Sequence, residues 1–559
     1  MHRPLCYADA IRNVTSLGSI MNLPIISSVI LFATGLRAVA VHTPTGAELF
    51  TQHCAMCHQA GGQGVPNVFP PLAKSDFIQK ERTKSIQALC EGLKGPITVN
   101  GKEYNSAMPM VILDDASVAA VLTHVFSSWG NNEKPVTEIE VAEVRAKTKF
   151  PTFAALKAAA SFAPLPAAPA GWTIREAGQL QFSPVRMAHR RGDPTVMVLS
   201  GEGNIWSFNP ATGESTMVLA AASYIDSKLG NPAVYGIGWD RENRFYITCN
   251  QRMEHQIPNV NHVTIWRTAP IPAGTPIGQL PKPEAWLQIN YPWGIGGFNH
   301  GISHIAQGPD GMMYVASGSR TDGGETGSDE RYSREGETPI TACVWKLDPA
   351  KSPPSIDVVA RGMRNPFGFA WTATRELYAG VNGPDADEPE ELDHVVEGRH
   401  YGFPFQFGDS DRKPYAYTPK PPDGLKFTHP VVNLGPDGLG YAGQPPTSTF
   451  TPHSSPAGMI WLEDEVYPAP YRHSFLITRF GNLLQREKDS GFDLLHVAFQ
   501  GTKNEVETAT VKTLLQPLAR PIDLIEFKPG TLLIAEYGRA ITYAGGLGQP
   551  GRLLEFSVK

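Results

Sequence analysis

The chain has 559 residues, 41% of them hydrophobic and only 18% charged, with a net charge of −6. That balance gives no reason to expect a nucleic-acid partner, and six cysteines in this length exclude a disulfide scaffold. The 54 glycines and 49 prolines exceed what a helical protein carries, so the expected fold is mainly β, with many turns.

Leu23 to Leu36 is an apolar run that ends in Ala38-Val39-Ala40. Its length and the small-x-small site are those of a secretory signal peptide, residues 1–40, removed on export. The run is short for a membrane span, and an uncleaved anchor is the alternative. Met21 is a second possible start, with Arg3 and Arg12 otherwise serving as the basic flank. Export implies the periplasm.

Residues 41–132 read as a small all-α domain. Thr45-Gly-Ala-Glu48 is a capping box opening the helix that leads into Cys54-Ala-Met-Cys-His58. Two thiols three residues apart can add to the two vinyl groups of a haem, and the adjacent histidine then falls beneath the iron. A redox disulfide or half of a zinc site is the other reading of Cys-x-x-Cys. No second such pair occurs, and His58 stands where haem attachment needs it. Asp114 or Asp115 caps a later helix with Val118, Leu122, Val125 and Trp129 at helical spacing. Between the helices, Met108 precedes Pro109 and supplies the sixth iron ligand, with Met110 as its rival. Cys90 reads as a buried spectator. These motifs, together with Ser128-Trp-Gly-Asn131, resemble class I cytochromes c, in particular the haem domains attached to periplasmic alcohol and sugar dehydrogenases.

Residues 133–171 form a linker. Thr137-Glu-Ile-Glu140 opens a short helix in it, and Ala158 to Gly171 is rich in alanine and proline. From Val196 onward an apolar strand, a tight turn and an aromatic-bearing strand recur six times. The copies are Val196 to Phe208, Tyr235 to Thr248, His304 to Ala316, Phe367 to Ala379, Met459 to Thr478, and Ile522 to Ala535. Such hairpin repeats predict a six-bladed β-propeller over residues 172–559, with an array of two-sheet sandwiches as the alternative.

Loop motifs within these repeats resemble the glucose/sorbosone dehydrogenase family, in its sorbosone-type branch: propellers that use pyrroloquinoline quinone (PQQ) and calcium. The motifs are Asn299-His-Gly301, Arg361-Gly-Met-Arg-Asn-Pro-Phe-Gly368, Asn382-Gly-Pro384, His400-Tyr-Gly-Phe-Pro404, Pro452-His-Ser-Ser-Pro456 and Ala519-Arg-Pro-Ile-Asp523. The resemblance implies His300 as the catalytic base. It implies Arg364, Asn365, Arg479 and Arg520 as contacts of PQQ, and Gly383 and Pro384 as carbonyl donors to calcium. Arginine suits a cofactor with three carboxylates because its planar donors never deprotonate, and calcium prefers oxygen. The acidic run Asp385, Asp387, Glu388, Glu390 and Glu391 reads mostly as a solvated loop. Where the family keeps an aspartate as the histidine's partner this chain has Ser319, with Asp322 as a substitute. Phe367 replaces a polar residue common in glucose-oxidising relatives.

The expectation is a periplasmic quinohaemoprotein dehydrogenase. It oxidises a sugar, alcohol or aldehyde and passes electrons to its own haem c, then to a soluble cytochrome or the respiratory chain. Membrane association is not required. The rivals are a calcium-dependent propeller lactonase and a non-catalytic electron carrier whose propeller docks a partner.

Overall fold

The computed structural model describes residues 44–559 apart from 65–68, 106–107, 109, 160–161, 255, 273, 275–276, 295–299, 326–335, 409–412, 437–448, 483–489, 504–505, 540 and 542–549. The expected signal peptide 1–40 and its alternatives lie outside the described residues, as do Asn299 and Pro109.

Helix α1 (Gly46–His53) starts at the expected box: Thr45 Oγ1 accepts from Glu48 N, and the Glu48 carboxylate accepts from Thr45 N at 2.7 Å. Helix α2 (Ala55–His58) is one turn that carries the haem motif. Helices α3 (Asp76–Lys80) and α4 (Arg82–Glu91) follow. A hairpin of Ile97–Val99 with Lys102–Tyr104 then interrupts the expected all-α pattern. Its cause is local: Asn100 and Gly101 both take positive φ (51° and 77°), which is the hairpin turn that Asn-Gly favours. Helix α5 (Asp115–Ser127) is capped by Asp114, whose carboxylate accepts from Ser117 N at 2.8 Å. Val118, Leu122 and Val125 are buried in the domain core. Trp129 follows the helix with φ 53° and packs on Phe50 at 4.8 Å.

The stretch 133–171 is a linker only in part. Helix α6 (Glu138–Arg145) packs its buried Val141 into the haem-domain core. Arg145, also buried, pairs with Asp115 at 2.5 Å and donates to Leu113 O. Helix α7 (Phe153–Ala159) buries Leu156. Beyond it, the Phe162 ring lies under two guanidinium groups, Arg539 at 4.5 Å and Arg552 at 4.6 Å. Leu165 and Ala168 pack on the propeller. The alanine–proline composition concealed these anchors because each depends on partners far along the chain.

Six sheets form the propeller. The first blade is Pro184–Ala188, Val196–Ser200, Ile205–Asn209 and Glu214–Leu219; the second is Pro232–Trp239, Phe245–Met253, Val260–Arg267 and Glu284–Pro292. The third is Ile302–Gln307, Met313–Ser317, Cys343–Leu347 and Asp357–Arg361. The fourth has three strands, Pro366–Trp371, Leu377–Val381 and Glu391–Val395. The fifth runs Pro456–Leu462, Ser474–Arg479, Asp493–Lys503 and Val506–Leu515, with Val432–Pro436 added in parallel at its outer edge. The sixth takes Pro521–Lys528, Thr531–Glu536 and Arg552–Val558, and the chain's own Trp172–Gln179 pairs with the last of these. That pairing closes the ring and removes an open edge.

All six repeats fall on blades, and the first strands of neighbouring blades touch all the way round. In the first blade the repeat covers the second and third strands. The first strand there, Pro-Val-Arg-Met-Ala, carries a buried arginine where apolar alternation would be expected. Arg186 ties the ring together at its axis: it donates to Tyr235 O on the second blade and Phe367 O on the fourth, and pairs with Asp523 on the sixth at 3.2 Å.

Candidate active site at the mouth of the channel

In an antiparallel blade, the start of the first strand and the end of the second lie at the same end of the sheet. His300 precedes the first strand of the third blade, and Arg364 and Asn365 precede that of the fourth. Arg520 precedes that of the sixth. Gly383 and Pro384 follow the second strand of the fourth blade, and Arg479 ends that of the fifth. The propeller therefore presents every site residue from its loops at one end of the channel.

His300 is held by its loop. Its amide donates to Ser319 O at 3.0 Å, and its Nδ1 lies 3.4 Å from both Ser319 O and Ser319 Oγ. A carbonyl oxygen can only accept, so this arrangement keeps the proton on Nδ1 and leaves Nε2 as the acceptor. Burial, then the Arg364 guanidinium, lowers the imidazole's pKa to about 3, so it is neutral at neutral pH. Gly318 is required here by close approach: a Cβ at this position would lie 2.4 Å from His300 Cβ and 2.9 Å from Asn365 Oδ1. Ser319 N in turn donates to Arg364 O at 2.7 Å, so the histidine, the arginine and Asn365 form one braced cluster. His304 has a different part. Its Nδ1 accepts from Phe369 N and its ring stacks on Phe369 at 4.2 Å.

Asp322 does not substitute as the histidine's partner. Its carboxylate pairs with Arg364 Nη2 at 2.5 Å and accepts from Asp385 N and the Tyr415 hydroxyl. Arg364 also donates to Asp322 O and Asn382 O. Its charge is thus balanced within the protein, as is that of Arg479, which holds Asp493 through two bonds of 2.9 and 2.5 Å. The Arg520 guanidinium lies over the rings of Phe480 and Phe492 and donates to Asn482 O.

The acidic run is not a solvated loop. Glu388, Glu390 and Glu391 are buried, and only Asp387 is exposed. The Glu390 carboxylate accepts from Gly383 N at 3.0 Å and Ser455 N at 3.3 Å, which fixes the Gly383–Pro384 turn from below. Burial raises its pKa to about 7. Beside that turn, Asn382 Oδ1 is buried with no hydrogen-bond partner among the described residues. Reading Glu390 as part of a solvated loop hid its place under the Gly383 turn, because its partners Gly383 N and Ser455 N are set by the fold. Tyr537 and Gly538 follow the second strand of the sixth blade in the position that Asn382 and Gly383 occupy in the fourth.

In the haem domain, His58 is buried and its Nδ1 lies 3.0 Å from Pro70 O, so Nε2 is free of that bond. Cys54 and Cys57 are half-buried at the two ends of the same turn. Met108 packs against the domain core, its backbone paired with Leu93. Met110 is half-buried and Cys90 fully buried.

Residues 44–129 match the cytochrome c family model. The chain is 40% identical over 126 residues to cytochrome c-552 of Thermus thermophilus, which spans 21% of this chain and 84% of that protein. It is 27% identical over 171 residues to the cytochrome c subunit of the quinone alcohol dehydrogenase of Gluconobacter oxydans, covering 30% of this chain and 29% of that subunit. Among solved structures, the PQQ-bound aldose sugar dehydrogenase of Streptomyces coelicolor aligns with a TM-score of 0.47 at 20% identity, over 70% of this chain and all of that one. The PQQ domain of pyranose dehydrogenase from Coprinopsis cinerea aligns with a TM-score of 0.43 at 14% identity, over 70% of this chain and 98% of that one. The identity and coverage of the Thermus protein decide the family: through residues 44–129 this chain belongs to the cytochromes c.

Proposed function

We propose that the chain is an exported quinohaemoprotein dehydrogenase that oxidises a sugar, alcohol or aldehyde with PQQ and calcium and reduces its own haem c. The observation that carries this reading is the convergence of His300, Asn365, Arg364 and the Gly383–Pro384 turn at one end of a propeller that is joined to a cytochrome c domain. A lactonase would use such a propeller but has no use for a tethered haem. A docking module would have no use for a neutral histidine braced against an arginine–asparagine cluster.

The residues present fit the three groups. Cys54 and Cys57 would bind the haem vinyls, with His58 and Met108 on the iron; the Pro70 carbonyl sets the tautomer that leaves Nε2 as the ligand. Oxygen donors suited to calcium follow one another along the turn after the second strand of the fourth blade: Asn382 Oδ1, buried without a partner among the described residues, and the carbonyls of Gly383 and Pro384. For an anionic quinone, the arginines Arg364, Arg479 and Arg520 and the amide of Asn365 supply planar donors at the same end of the channel. When bound, PQQ with calcium accepts the hydride of a CH–OH group. Its departure requires removal of the hydroxyl proton, and His300 Nε2 is the acceptor on hand. Ser319 holds the ring in that tautomer, and the Asp322–Arg364 pair stands behind it. The periplasm is the proposed compartment and a soluble cytochrome or the respiratory chain the next acceptor, without need of a membrane anchor.

The test is an absorption spectrum. Adding PQQ, calcium and a panel of sugars, alcohols and aldehydes to the haem protein should raise the ferrous bands. Chelation should stop this and release PQQ while the haem stays covalently bound. Hydrolysis of a lactone without haem reduction would replace this reading with the hydrolase. The Met108→Ala variant should lose the sulfur-to-iron band and Met110→Ala should keep it; the reverse pattern would move the ligand to Met110.

A further inference from the structure

Three contacts bring the haem domain to the mouth end of the propeller. Gln63, five residues past His58, donates from Nε2 to Glu254 Oε1 at 2.8 Å, and Glu254 follows the second strand of the second blade. Helix α1 faces the first blade across a cleft of about 560 Å³, with Glu48 and Thr51 on one wall and Phe182, Glu202 and Trp206 on the other. The third contact is the tether. Phe162 sits between Arg539 and Arg552, and Arg552 Nη2 donates to Ala163 O at 3.0 Å, so the connection is tied to the sixth blade. On the propeller the contact points lie on the second, first and sixth blades, and the Arg520 loop opens the sixth. There Tyr537 donates its amide to Arg520 O at 2.9 Å and sets its ring 5.3 Å from Phe480. Its phenol is held in the neutral form by burial first, and the Glu202 carboxylate adds to that.

We propose that this contact is a held electron-transfer interface, in which the Phe162 clamp and the Gln63–Glu254 bond keep the haem-attachment turn over the channel mouth and the Tyr537 ring fills the path to the Arg520 loop. The proposal rests on the dehydrogenase reading above. Each substrate oxidation yields two electrons and two protons. Electrons cross singly, each turning ferric haem ferrous, and the protons leave to water. One haem takes one electron at a time, so an outside acceptor must remove the first before the second crosses. Tyr537 acts here as a positioning residue: a packed ring gives a denser path than a solvent gap.

The test joins the two sides. In the full chain carrying Gln63→Cys and Glu254→Cys, a short bis-maleimide should link the two positions within one molecule, read by mass spectrometry. Adding Phe162→Ala should slow that linking by about tenfold, the order expected for loss of its two cation–π contacts. With PQQ, calcium and substrate, the linked protein should reduce its haem as fast as the unlinked one. The Tyr537→Leu variant should slow haem reduction while reduction of a small dye, which bypasses the haem, stays unchanged. Linking no faster within a molecule than between molecules would overturn the interface, as would a linked protein that reduces dye but not haem. Equal loss of dye and haem reduction in Tyr537→Leu would make that tyrosine structural and overturn its part. If the parent protein reduces neither dye nor haem, the dehydrogenase reading fails and the electron path with it. The linking rate tells that failure apart from a failed dock.

Discussion

In the haem domain five consecutive residues, Cys54 to His58, carry the attachment chemistry on a single helical turn. In the propeller the corresponding groups come from four blades, from His300 to Arg520 along the chain, and share one end only because each precedes a first strand, or ends or follows a second. The local site needs little support beyond one carbonyl, Pro70 O, on the histidine. The distributed site needs internal charge balance, because its arginines are buried: Arg364 pairs with Asp322 and Arg479 with Asp493, as Arg186 at the axis pairs with Asp523. A distributed site is thus built on buried ion pairs, whose rupture leaves a charge without solvent. The two regions should therefore fail in different ways when mutated.

The largest effect is expected at the propeller's base. His300→Gln should lower haem reduction by substrate by about 10² to 10⁴, the range for loss of a general base, with PQQ still bound. An undiminished rate at saturating substrate would remove His300 from the mechanism. Next comes the pair at the axis. Asp523→Ala leaves Arg186 buried among three blades without its carboxylate, and should cost the propeller about 3–5 kcal/mol in denaturant unfolding. The double variant Arg186→Met with Asp523→Ala should recover much of that loss. If the single variant unfolds like the parent, the ring does not depend on this hub.

How legible each region was follows the same division. The capping box at Thr45, the cap at Asp114 and the haem motif are short-range patterns, and each stands where its residues indicated. The six blades were legible too, because their turns fall on residues such as Asn243, Gly311 and Gly530 that tolerate positive φ. Partnerships across blades were not legible. Nothing local tells that Asp322 faces Arg364 and leaves Ser319 to the histidine, or that Glu390 props the Gly383 turn. Nor does an alanine–proline stretch disclose that Phe162 is clamped by arginines nearly four hundred residues later.

Acid should sharpen the contrast. His300 has its pKa lowered to about 3 and His496 to about 4, both first by burial, against an ordinary 6.5. A depressed histidine takes up its proton more readily in the unfolded chain. The stability it contributes is therefore complete above pH 6.5 and lost as pH falls toward 4 and 3. Glu390, raised to about 7 by burial, works in the opposite sense: its contribution is present below about pH 4.5 and lost as pH rises through 7. Thermal unfolding of the propeller should thus shift to lower temperature between pH 6.5 and 4, and His496→Gln should flatten that slope. An unchanged slope in this variant would discount the histidine. The smallest effect is local. Asp114→Ala should cost the haem domain about 1 kcal/mol by removing the cap of α5, leaving unfolding of the propeller unchanged.

The central claim is that the propeller reduces the haem of its own chain. Stopped-flow mixing of the PQQ- and calcium-loaded protein with saturating substrate tests it directly, by following the ferrous haem band over a wide range of protein concentration. An intramolecular transfer gives a first-order rate that does not change with protein concentration. A rate that rises in proportion to protein concentration would mean that electrons pass between molecules, and would contradict the account.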